Sequence, residues 1–259
     1  IRYVQKDSSP YLRNGALRVT RPLQVDIATN TAQISYTAHP DISVIQRFEL
    51  AGPAARLVLQ LRNNGSITHN LGVRYLLDTQ IDENDGAPLY ASTVGVRTYE
   101  TDLPSPSFRE FFAYDQWPNP TLTSQGTLET TPSRIVFAHW PEAVETSYDY
   151  TPDSNRRFFT PGFTRSPESD SCVLVYYSIG ALAPSASREV VIHYGTGAPV
   201  TPPDPRRKII EALNELERAM SDSLDNNVEV AASSFTKLFK HRQTKWELWM
   251  DGLDVVVGA

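Results

Sequence analysis

The chain has 259 residues, 40% of them hydrophobic and 21% charged, a balance typical of globular domains and enough for one large β domain or two modest ones. Its net charge of −6 argues against nucleic acid as a general partner, because phosphate binding needs a basic face. A single cysteine, Cys172, excludes an internal disulfide framework and a cysteine-built zinc site, and no run of ~18 apolar residues supplies a transmembrane helix.

The chain begins at Ile1 rather than Met, which suggests a processed protein or a fragment, and the abrupt apolar end Val255-Val-Val-Gly-Ala259 suggests the same. From residue 42 onward, side chains alternate in character. Ile42, Val44, Phe48 and Leu50 share one face, with Ser43, Arg47 and Glu49 on the other. Leu57, Leu59 and Leu61 alternate with Gln60 and Arg62, and Val73, Tyr75 and Leu77 alternate with Arg74 and Leu76. Alternation of this length predicts half-buried antiparallel strands. Further strands are expected at Ile135 to Trp140, at Cys172 to Ser178 and at Arg188 to Tyr194, the last two apolar on both faces and hence central. Turns built on Gly, Asn, Asp, Ser and Pro separate them, at residues 63–66, 84–86, 105–107, 118–120 and 151–155. Of 19 prolines, 14 fall between Pro104 and Pro205, which rules out long helices there. Many strands joined by such turns point to a sandwich rather than a parallel α/β sheet.

Character changes at Gly195 to Pro205, where four prolines in seven residues form a stiff joint. Asp204 and Pro205 suit the start of a helix, and Ile209, Leu213, Leu216 and Met220 follow at helical spacing. A second helical phase carries Phe235, Leu238, Trp246 and Trp249, interleaved with Lys237, Lys240, Arg242 and Lys245. This amphipathic, cationic stretch suits packing on a partner or a copy of the chain, and a membrane interface is the alternative.

Three constellations carry possible chemistry. Asp78, Asp82, Asn84 and Asp85 gather oxygen ligands suited to Ca²⁺ at the end of a strand, although no EF-hand spacing is present and plain turn chemistry explains the same residues. Paired carboxylates suit glycoside hydrolysis, but Glu142, Asp149 and Asp153, the other acids at hand, sit in no distinctive motif. Trp117 and Trp140, with Tyr114, Tyr148 and Tyr150, fall in the Pro-rich middle and either stack on sugar rings or cover the ends of the core. No two of His39, His69, His139, His193 and His241 have metal-ligand spacing. There is no Gly-x-Ser-x-Gly elbow, phosphate loop or dinucleotide fingerprint.

Leu71-Gly-Val-Arg-Tyr-Leu-Leu-Asp-Thr79, Asn84-Asp-Gly-Ala-Pro88, Phe111 to Pro120 and Ser124-Gln-Gly-Thr-Leu128 together resemble a group of uncharacterised bacterial proteins frequent in cyanobacteria. Pro132-x-Arg134, Ala138-His-Trp140, Asp170-Ser171 before Tyr176-Tyr177, and Leu182-x-Pro184 leading to Tyr194-Gly195 extend the resemblance over about residues 42–197. Where the pattern has Pro-Gly, this chain has Pro184-Ser185. The resemblance implies a large β-sandwich of the cell envelope and transfers no catalytic residue.

The expected protein is mainly β. A large antiparallel sandwich, of which the supersandwich is one form, spans 1–197, a Pro-rich linker spans 198–205, and a helical tail spans 206–259. The expected role is a non-enzymatic bacterial surface or assembly component that is extracellular or in the envelope. Its tail docks on a partner or a copy of itself through the eight apolar residues named above. Carbohydrate binding or processing is the alternative, and peripheral membrane attachment the third reading. Ca²⁺ at Asp78, Asp82, Asn84 and Asp85 is the one cofactor these residues suggest.

Overall fold

The computed structural model describes residues 2–6, 12–16, 18–146, 148–162, 169–196 and 253–258. In chain order its strands are β1 (Arg2–Lys6), β2 (Leu12–Ala16), β3 (Arg18–Asp26), β4 (Thr31–His39), β5 (Ile42–Ala51), β6 (Ala54–Asn63), β7 (His69–Asp78) and β8 (Leu89–Ala91). There follow β9 (Gly95–Arg97), β10 (Thr101–Pro104), β11 (Glu110–Tyr114), β12 (Thr123–Leu128) and β13 (Arg134–His139). A short helix α1 (Trp140–Glu145) precedes β14 (Ser171–Leu182), β15 (Ser187–Thr196) and β16 (Leu253–Gly258).

Among the described residues the strands make two sheets. One has seven strands in the order β10-β13-β14-β7-β16-β1-β2, and the other nine in the order β3-β4-β5-β6-β15-β12-β11-β8-β9. Every pairing among the described strands is antiparallel except β1 with β16. Their inner faces meet in one core that holds Leu57, Leu59 and Leu61 from the nine-stranded sheet and Val73, Tyr75, Leu77, Val173 and Val175 from the seven-stranded sheet. Leu59 is wholly buried, as the period-two pattern predicts.

Beyond that core the structure differs from the sequence reading in two ways. Alternation in β7 predicts one wet face, yet Arg74, only 2% exposed, and Leu76 are also buried. A second apolar cluster, with Val136, Ala143, Tyr150, Leu174 and Tyr176, covers that outer face. Arg74 is accommodated there by donating to Thr146 Oγ1 at 3.1 Å and to Thr146 O at 2.7 Å.

The second difference is at the C-terminus. Residues 253–258 form a strand, not the end of a helix, and β16 lies between β7 and β1, antiparallel to the first and parallel to the second. Consecutive β-branched valines favour the extended backbone. The sandwich therefore does not end at residue 197. The Pro-rich linker, and the tail positions from Ile209 to Trp249 expected to dock on a partner, lie outside the described residues.

Candidate functional site

The acidic turn is rearranged relative to expectation. Ile81 and Asn84 exchange two backbone hydrogen bonds of 2.9 Å, which lifts Asp82 and Glu83 to the exposed tip. Asp82 adopts a positive φ of 53° there. Asn84 is buried and turned inward, where its Nδ2 donates to Asp115 O at 2.6 Å and its Oδ1 accepts from Gly86 N at 3.0 Å. Asp78 and Asp85 instead meet Asp170, which precedes β14, with carboxylate oxygens within 4.8 Å of one another. Ser171 N–H ties the two segments together through a 2.9 Å bond to Asp85 O. The clustered set is thus Asp78, Asp85 and Asp170, and Asp82 and Asn84 are not in it. Gly86 makes the close approach possible, because a Cβ there would lie 2.3 Å from Ser169 Oγ and 2.5 Å from Phe158 O.

The two tryptophans separate. Trp140 opens α1 on the outer side of the seven-stranded sheet, half-buried against the second cluster with Val144 and Tyr148. Trp117 lies in the β11–β12 connection of the other sheet, 42% exposed. One of its ring faces stacks on the buried Tyr114, with centroids 5.5 Å apart and planes at 28°. The connection is clamped around it. Thr121 N–H donates to Asp115 Oδ1 at 2.9 Å and Thr121 Oγ1 donates to Asp115 Oδ2. Gln116 Nε2 reaches Asn119 O at 3.0 Å, and Asn84 holds Asp115 O from below. Burial pushes the Asp115 carboxyl up, but the bonds from Thr121 and nearby backbone N–H groups outweigh it and leave it below the ordinary range. Burial pushes the Tyr114 hydroxyl up to about 12.

Three groupings escape the sequence reading because strands distant in the chain build them. On the outward face of the nine-stranded sheet, Arg47 donates to Glu49 at 2.7 Å, and Arg56 bridges Glu49 at 2.7 Å and Glu129 at 3.6 Å. His193 Nε2 closes the chain on Glu129 at 2.9 Å. Cross-strand pairing of Glu49 with Arg56 and of Arg56 with His193 brings these residues together.

A shallow cleft of about 600 Å³ forms where the chain crosses from β9 to β10, lined by Arg97, Tyr99, Asp102, Ser154 and Asn155. Glu100 forms its floor and is buried, accepting from His139 N at 3.0 Å, Asp153 N at 2.6 Å and the Tyr150 hydroxyl. Arg157 lies 4.8 Å over the Tyr99 ring.

The third grouping unites two histidines that sequence spacing keeps apart. His39 ends β4, Asp41 sits in the turn to β5, and His69 begins β7 in the opposite sheet. His69 Nε2 and Asp41 Oδ2 are 2.9 Å apart, and the two imidazole centroids are 4.9 Å apart. Burial first, and the neighbouring His69 second, hold His39 below the ordinary histidine range against the pull of Asp41.

No protein-family profile and no curated protein matches the chain. Among solved structures it is similar to a putative aldose 1-epimerase from Escherichia coli K12, at 12% identity and TM-score 0.39 over 70% of this chain and 68% of that one. It is also similar to a galactose mutarotase-like protein from Clostridium acetobutylicum, at 8% identity and TM-score 0.38 over 70% and 66%. A CBM3a-L domain from the cipA scaffoldin of Clostridium thermocellum matches at 13% identity and TM-score 0.20 over 67% and 71%. At these levels no ligand or activity passes to this chain, and the sandwich assignment rests on its own sheet topology.

Proposed function

We propose that the protein is a glycan-binding β-sandwich whose contact point is the Trp117 loop. The observation that carries this reading is an exposed indole with one face braced on Tyr114 and its loop tied at Asp115. A pyranose ring presents a flat apolar face edged with hydroxyls, and a rigid aromatic platform stacks on it with little entropy to lose. Gln116, Asn119 and Asp115 supply polar groups beside the ring. Trp140 is not part of this surface. If Ca²⁺ assists, its ligands on this fold are Asp78, Asp85 and Asp170, linked to the loop through Asn84. An extracellular or envelope location belongs to the same proposal and is checked by cell fractionation.

A glycan array followed by fluorescence titration tests the reading. Binding should quench tryptophan emission, and Trp117→Ala should weaken affinity about tenfold, the scale of one aromatic stacking contact. An array without a hit, or a Trp117→Ala protein that binds like the wild type, overturns it.

A second reading, self-association as an assembly component, is favoured by β3. This strand forms one edge of the nine-stranded sheet, and the apolar Leu23, Val25 and Ile27 along its end are exposed, Ile27 at 85%. An apolar sheet edge invites pairing with another chain. Native mass of the full chain and of a Leu23→Lys/Val25→Lys variant tests it: a monomeric wild type removes this reading.

A further inference from the structure

We propose that His39, Asp41 and His69 form a binding site for one first-row divalent cation of the zinc class, where the two sheets meet at one end of the sandwich. Each residue offers one ligand atom, and the three atoms lie within 4.8 Å of one another. Ligands ~2.0–2.2 Å from a tetrahedral ion sit roughly 3.4 Å apart, so only small rotations separate this arrangement from coordination. The His69 Nε2 to Asp41 Oδ2 edge, at 2.9 Å, is already closer than that. There the cation takes the place of the hydrogen the two atoms share.

The site is held in place before any ion arrives. His69 is buried and fixed by its position at the start of β7. Asp41 is anchored by Asn64 N–H, which donates to Asp41 O at 2.6 Å. Asn63, wholly buried, shapes the facing turn: its Oδ1 accepts from Gly65 N, and its Nδ2 donates to Ile67 O and Leu182 O at 2.7 and 2.9 Å. Gly65 then leaves the space that the carboxylate fills, since a Cβ there would lie 2.3 Å from Asp41 Cγ and 2.6 Å from Oδ2. Outer contacts of this kind orient metal ligands.

Ligand chemistry selects the ion. Two imidazoles and one carboxylate suit Zn²⁺ and its neighbours, whereas Ca²⁺ needs six to eight oxygens. Three protein ligands leave a fourth position open. The Asp41 side chain is 32% exposed, so water or another small donor has access to complete the shell. Asp41 N–H donates to His39 Nδ1 at 3.2 Å. A cation bound through His39 Nε2 therefore displaces that nitrogen's proton, and one bound through Nδ1 displaces the Asp41 N–H.

The inference is independent of the glycan reading. The full chain, stripped with a chelator, should bind one equivalent of Zn²⁺ by calorimetry, and Co²⁺ in its place should give the visible bands of a low-coordinate N/O site. His39→Ala and Gly65→Ala should each weaken Zn²⁺ binding by at least about tenfold, the lower bound for losing even an outer contact. His193→Gln should bind like the wild type, and millimolar Ca²⁺ should not displace Zn²⁺. Histidine NMR of the wild type needs no variant to fold: the His39 and His69 ring signals should shift together on adding Zn²⁺. Absence of Zn²⁺ binding below millimolar, shifts at other histidines alone, or His39→Ala binding like the wild type would overturn the assignment.

Discussion

Arg56 shows how single residues act on this fold. It spans two carboxylates on the open face of the nine-stranded sheet, and both respond. The hydrogen bond from Arg56 chiefly holds Glu49 below the ordinary glutamate value of 4.5, and that from His193 chiefly holds Glu129 below it, with Arg56 adding to the effect. A carboxylate whose folded value is depressed adds stability that is fully present above its unfolded pKa and is lost as pH falls through the folded one. Arg56→Ala should therefore lower stability at pH 7 by at most ~1 kcal/mol, since the groups are partly exposed and screened. The gap between wild type and variant in urea midpoints should close as pH falls below about 4.5. A gap constant from pH 7 to pH 3 would mean that the arginine stem acts by packing rather than charge.

Among the elements, β16 has the largest consequence for how the chain is divided. A strand between β7 and β1 supplies hydrogen bonds on both sides, so its loss uncovers the edge of β7 and leaves the β1–β2 hairpin unsupported. Removing residues 206–259 should not leave an intact sandwich, which is the opposite of what a detachable helical tail implies. Val256→Pro tests the strand alone, because proline removes one ladder donor from an interior strand. The thermal midpoint should fall clearly in both. An unchanged melt for Val256→Pro would place this strand outside the cooperative fold.

On the scale of the whole molecule, the two sheets share one core, and the second cluster is laid over the seven-stranded sheet by α1 and the residues after it. Cys172, on β14 between β13 and β7, belongs to that second cluster and is wholly buried, and burial pushes its thiol well above the ordinary range. A buried neutral thiol reacts only when the chain opens. If the two clusters unfold together, labelling of Cys172 by a thiol reagent across a urea series should follow the loss of far-UV circular dichroism with the same midpoint. Labelling at lower urea would show that the outer layer opens before the core. Cys172 is the one cysteine in the sequence, so the signal has a single source.

At this scale the division between sequence and tertiary structure is clear. Period-two alternation at Leu57, Leu59 and Leu61, and turn chemistry at residues 63–66 and 84–86, determine the strands and the mainly β class, because both are local properties of neighbouring side chains. Shorter strands such as β8 to β10 leave too few alternating positions to read. Exposure of Trp117 and partial burial of Trp140 look alike in sequence, since each is a tryptophan beside proline in an irregular stretch. Asp170 joins Asp78 and Asp85, and His69 joins His39 and Asp41, only because β7 pairs with β14 and the two sheets close on each other at their ends. The sequence by itself determined which segments extend and which turn. Which strands became neighbours, and therefore which polar groups meet, was decided by burial and pairing summed over the folded chain, energies that no local window contains.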